Sequence, residues 1–262
     1  MSSRCGTDSS FERHLINQLG GWTNELALPL LPPREVSKEG EVLRREFRAH
    51  APYAVMVGKL VRAVSGIRAA LVLADIGYVA ECGALLRMVS DFCTEITAVG
   101  EALNSGGEPP APVRKFVDQY FSPKPRTPEE FAEMERTRYV SREDLMKAES
   151  RLAEQSGIDA EGLRLLHRFL NMSFDAYVHG AYETTMELYD PRVGTFMMDG
   201  HVSISTRQAF VEAICGKLHE VVVAVETTAA IGGNAGVFQA AGDAKRALDA
   251  RSAEPRGGSP IG

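Results

Sequence analysis

An all-α domain, folded as an irregular multi-helix bundle with one small β-hairpin at about 195–204, is what this sequence predicts, and three observations predict it. Apolar residues recur at spacings of three and four over long stretches. Helix-start signals, in which Ser or Thr precedes an acidic or amide side chain by three residues, recur along the chain with Gly or Pro pairs between the segments. Strand-like residues flank a turn-forming pair in a single place, around Asp199-Gly200. With 262 residues, 44% of them hydrophobic, there is enough apolar mass for one domain, assigned to 11–250 between disordered ends at 1–10 and 251–262.

Taken in order, Ser9-x-x-Glu12 opens a short helix to about Leu19, which Gly20-Gly21 ends. Ala27–Pro33, rich in Leu and Pro, reads as an extended strap over apolar surface. A helix is expected from Ser37 to Val64, kinked or split at Pro52. Between Ile67 and Leu103 two apolar stripes run side by side. One is Leu71, Tyr78, Cys82, Leu85, Val89, Phe92, Ile96 and Val99; the other is Val72, Ile76, Val79, Leu86 and Cys93. That pattern predicts a helix covered on most sides, stopped by Asn104–Gly107 and Pro109-Pro110. Pro112–Phe121 is a short amphipathic helix, and helix starts follow at Thr127-Pro128-Glu129-Glu130 and Ser141-Arg142-Glu143-Asp144, in a charged, solvated stretch. Leu163–Leu188 is expected to be a second core helix, closed by Asp190-Pro191. Thr195–Met198 and His201–Ile204 flank Asp199-Gly200 as a hairpin. Ser205-x-x-Gln208 launches a helix to about Ala230, broken by Gly232-Gly233, and Ala235–Ala250 is the last helix. The core is expected from the helices at 67–103, 163–188 and 206–230.

Composition narrows the function classes. A formal net charge of -6 gives no overall positive field toward nucleic acid or an anionic membrane. The apolar run Ile67–Leu86 is interrupted by Arg68, Asp75 and Glu81, each Arg or Asp costing about 2.5–3.5 kcal/mol at a membrane centre. No membrane span is expected. The polar start Ser2–Ser10 lacks a secretory pattern, and Cys5, Cys82, Cys93 and Cys215 have neither CxxC nor finger spacing. These features predict a cytoplasmic protein with reduced thiols.

No phosphate-binding, dinucleotide-binding, HExxH or GxSxG motif is present. Gly232–Gly236 lies between helices and reads as a helix break. His167, His201 and His219 are dispersed, so neither a metal nor a cofactor is expected.

Two constellations remain. Arg87 and Asp91 stand one turn apart beside Ala80 and Ala84, with Glu95 a turn further along; an ion pair in apolar surroundings is either a structural network or a site. On the later helix, Asp175 and His179 are four apart, so the carboxylate would orient the imidazole, and Ser173 lies a turn and a half before it. Three such groups on one helix do not converge on a substrate atom, which leaves a hydrogen-bonded core histidine as the alternative. Arg87, Asp91 and His179 are expected to meet in the interior, with the 27–35 strap and the 195–204 hairpin as candidate lids.

Leu85-Leu86-Arg87-Met88-Val89-Ser90-Asp91 with Tyr177-Val178-His179-Gly180 resembles an uncharacterised bacterial helical family known as domain of unknown function 5677, over about residues 60–190. The resemblance implies an all-helical fold and no particular reaction. Asp91 stands where that family has Glu, and Ser173 lies further from the histidine than its pattern has it. The chain is also similar to HEPN-type domains, whose ribonuclease members use Arg-x(4 to 6)-His without metal. Arg44 or Arg45 with His50 meets that spacing, which this many arginines and histidines also produce by chance. The sequence therefore points to a helical binding or regulatory protein with a buried polar cluster rather than to an enzyme, with a HEPN-like ribonuclease or toxin component as the alternative. Its partner is unspecified, and its amphipathic faces suit a homo-oligomer.

Overall fold

Pro52 occupies the first turn of α2 (Pro52–Ile76), where its missing N–H costs nothing and its φ suits the helix. The computed structural model describes residues 10–38, 41–49, 51–122, 140–155, 174–196 and 204–253, with isolated positions (127–129, 132, 159, 161, 162, 165, 172 and 198) between them. Gly77 ends α2 at φ 92, and the amides of Gly77 and Tyr78 reach the carbonyls of Ala74 and Leu73 at 3.2 and 2.9 Å. This left-handed closure turns the chain into α3 (Val79–Asn104). The single helix expected over 67–103 is thus the end of one helix and the whole of the next.

The third core helix is α7 (Ile204–Ile231), ended at Gly232-Gly233 as predicted. Met56, Leu60 and Ile67 of α2, Leu86, Val89 and Ile96 of α3, and Ile214, Leu218 and Val222 of α7 are fully buried against one another. Around this trio pack α1 (Ser10–Ala27), α8 (Ala235–Ala253), α4 (Ala111–Phe121) and α5 (Arg142–Gln155). Ser141 caps α5: its Oγ accepts the Asp144 amide at 3.1 Å, and Asp144 Oδ2 accepts the Ser141 amide at 3.1 Å. The chain is all-α as the sequence predicts.

Several boundaries differ from expectation. Gly20 and Gly21 lie inside α1, because the buried stripe Leu15, Ile16, Leu19 and Leu26 continues past them and packing outweighs about 1 kcal/mol per glycine. The 27–33 strap begins as one 3-10 turn (Leu28–Leu30), and Leu28 and Leu31 are exposed rather than laid on the core. Where a helix was expected from Ser37, an antiparallel hairpin stands instead, β1 (Arg34–Lys38) and β2 (Glu41–Glu46), with a register shift between Val36 and Ser37.

Helix 163–188 is not continuous: segment 174–178 is helical, Gly180 turns at φ 59, and α6 (Tyr182–Met186) follows. Most of 163–173 lies outside the described residues, while Phe174 and Tyr177 pack against the core. The hairpin near 195 pairs backwards, β3 (Tyr189–Asp190) with β4 (Thr195–Phe196), through a turn containing Gly194 at φ 73. Asp199-Gly200 and residues 201–203 lie outside the described residues, and Ile204 is already helical. At the other end α8 continues past Ala250, with Arg251 over the Phe11 ring at 4.7 Å and 3.4 Å from the buried Glu12. No described helix is long and apolar enough to cross a membrane.

Candidate binding site on helix α3

Arg87, Ser90 and Asp91 share one face of α3 because they are three and four residues apart. The predicted Arg87–Asp91 pair forms through Nη1, and the Arg87 Nε donates to Asp175 from segment 174–178. Burial opposes the charge on Arg87, but the bonds to both carboxylates outweigh it and hold its pKa above the ordinary value. Exposure falls inward across the group: the Asp175 side chain is 46% exposed, that of Asp91 33% and that of Arg87 16%.

One helical position further in lies a triangle that the sequence reading missed. Lys217 of α7, 2% exposed, donates to Ser90 Oγ and to Glu220 Oε1 at 2.6 Å, while the Ser90 hydroxyl donates to Glu220 Oε2 at 2.8 Å. The Phe174 ring covers the ammonium at 5.1 Å. Cys93 is buried beside this group, and burial, joined by Glu220 and opposed by Lys217, pushes its thiol pKa well up. Ser90 beside a lysine carries the elements of a nucleophile. Here, though, its proton is given to Glu220 and the lysine is held by the same carboxylate, so the hydroxyl is an anchor. The available signal was a lysine within the apolar run Ile214–Val225 and a carboxylate three residues later.

Segment 174–178 is the cover over both cations. Phe174 sits on Lys217, Asp175 on Arg87, and Tyr177 in a notch of α3 at Gly83, where a Cβ would stand 2.5 Å from the tyrosine Cγ. Tyr177 also meets Phe210 edge to face at 5.4 Å and donates to Glu187 at 3.0 Å. Burial first, then Glu187, raises its pKa. The Gly180 turn closes the segment, with the Ala181 amide on Ala176 O at 2.9 Å. The cover is therefore neither of the two lids expected from the sequence.

Other predicted site residues are placed apart. Glu95 faces Lys59 at 2.7 Å, and that ammonium lies 5.2, 5.4 and 5.5 Å from the rings of Phe92, Phe116 and Tyr120. His179 is exposed in the turn, and its amide, not its ring, bonds Asp175, so it does not meet Arg87 and Asp91 in the interior. Ser173 and His50 lie outside the described residues, as do the side chains of Arg44 and Arg45, whose backbones belong to β2. Among the described residues no group of three or more His, Cys, Asp or Glu is placed to hold a metal ion. Burial raises the Cys82 and Cys215 thiols to about 12, helped at Cys215 by Glu12, so neither is a ready nucleophile. A scan against protein-family models finds no match, and searches of curated proteins and of solved structures find none either.

Proposed function

We propose that this chain is a helical binding module that takes a small polar ligand on the α3 face of Arg87, Ser90 and Asp91, backed by Lys217 and Glu220 of α7. The observation that carries the reading is the cover: the two cations are overlaid by Phe174 and Asp175, which belong to segment 174–178, itself only partly buried. Ligand sites combine a fixed polar constellation with an element able to open. The fixed part here is spanned by α3 and α7. The free thiols of Cys82, Cys93 and Cys215 support a cytoplasmic setting, and the family resemblance over about 60–190 supports a bacterial one.

The test is the melting temperature of the parent and of Arg87→Gln against a panel of amino acids, dicarboxylates, sugar phosphates and a mixed RNA pool. A ligand at a hundred times its dissociation constant adds about 2.7 kcal/mol. In a chain of this size that is a rise of roughly 5–10 °C. We expect at least one small molecule to raise the parent and not Arg87→Gln, and Arg87→Gln alone to melt within a few degrees of the parent. A large loss of stability in Arg87→Gln, with the parent indifferent to the whole panel, would make the cluster purely structural. RNA cleavage by the parent, lost in His50→Ala, would put the ribonuclease reading in its place.

A further inference from the structure

Given that binding reading, on which the inference rests, the geometry points to a small carboxylate as the ligand, bound by Arg87 in place of the Asp175 side chain. Of the two carboxylates on Arg87, Asp91 belongs to α3 itself and stays when the cover lifts, whereas Asp175 arrives from 88 residues away on the cover. Asp175 is also the most exposed of the three groups. The guanidinium side chain is only 16% exposed, so lifting Asp175 leaves a largely desolvated cation with one carboxylate where it had two. A carboxylate arriving from solution restores that balance with the same planar two-oxygen geometry that guanidinium recognises.

Charge selects against heavier anions. Among the described residues the cluster holds two cations, Arg87 and Lys217, and three carboxylates, Asp91, Asp175 and Glu220. Exchanging Asp175 for a monoanion leaves the sum unchanged, while a phosphate dianion adds a negative charge beside Asp91. Lys217 offsets little of it, because its ammonium is already bound to Ser90 and Glu220. Asp175 thus stands where the ligand carboxylate would, and its attachment to the cover couples occupancy to opening.

Chemical rescue tests this. Asp175→Ala is melted in sodium chloride, sodium acetate and sodium phosphate at matched ionic strength, beside the parent and the double variant Arg87→Gln/Asp175→Ala. Asp175→Ser, which also vacates the place of the carboxylate, serves if the alanine variant does not fold. We expect acetate to recover at least half of the melting temperature lost on removing Asp175, to raise the parent far less, and to do nothing for the double variant. Recovery by phosphate but not acetate would overturn the carboxylate class and leave the binding site standing. Cooperative melting of Asp175→Ala that no anion shifts, with the parent still raised by a member of the panel in an Arg87-dependent way, would overturn this inference alone. Indifference of both proteins to every anion and every panel member would sink it together with the binding reading.

Discussion

At Lys217 and at Asp175 the same kind of interaction has very different consequences, and magnitude separates them. Lys217 is 2% exposed and holds Ser90 and Glu220 together; losing one member of a buried pair costs about 3–5 kcal/mol, because the other is left desolvated. Asp175 is half-exposed over an Arg87 that is 16% exposed, so losing it costs less than breaking the inner triangle but more than the ~0–1 kcal/mol of a fully exposed pair. The inner triangle is therefore frame, and the outer carboxylate is exchangeable at lower cost. Glu101, also on α3, shows desolvation acting alone. Its buried Oε2 meets no donor among the described residues, and burial raises its pKa. A carboxyl whose folded pKa lies above its unfolded value contributes stability that is full below the unfolded pKa and lost as pH rises through the folded one. Glu101→Gln should accordingly raise the melting temperature at pH 7, with the gain shrinking toward about pH 4; an equal gain at both pH values would contradict desolvation as the cause. At this scale the Arg87–Asp91 pair was legible because a four-residue spacing fixes proximity on any helix. Lys217 was not, since its partner Ser90 lies 127 residues away and only tertiary packing joins them.

Helix ends and crossings set where these residues can go. Gly77 and Gly180 adopt φ 92 and 59 and close helices, Gly77 with the paired bonds of a left-handed cap and Gly180 with the Ala181 amide on Ala176 O. Each cut an element that hydrophobic periodicity alone had run together, since the apolar stripe continues across both. Gly20-Gly21, the more conspicuous pair, break nothing because α1 keeps its buried stripe. Glycine pairs were thus a weaker guide than single glycines at which the backbone turns left-handed. Capping chemistry fared better at Ser141, where the Ser-x-x-Asp box is formed as written. Gly83 matters for its missing side chain: a methyl there would strike the Tyr177 ring that docks the cover. We predict that Gly83→Ala lowers stability by about 1–3 kcal/mol through overpacking, and that most of this cost vanishes in a Tyr177→Ala background. Equal costs in both backgrounds, measured by denaturant unfolding, would mean that Tyr177 does not seat at Gly83.

Across the whole molecule the fold class followed from periodicity and punctuation, while the choice of core partners did not. The sequence stripes mark α2, α3 and α7 as apolar, but do not show that the 67–103 stripe divides into two helices, which the left-handed turn at Gly77 decides. The result is a trio of long helices packed through fully buried faces, with the partly exposed segment 174–178 laid over a polar face of α3. If the site admits a ligand, the cover opens without the core, as partly exposed segments do. The direct measurement is native-state amide exchange of the amides around 176–181, including His179 on Asp175 and Ala181 on Ala176, against those of Leu60–Leu71 and Leu218–Val225. The account predicts that the cover amides exchange through local opening, at a free energy well below that of the core amides, which exchange only on global unfolding. Equal protection across the cover, α2 and α7 would mean that 174–178 is part of the cooperative core, and a site beneath it that opens to a ligand would be contradicted.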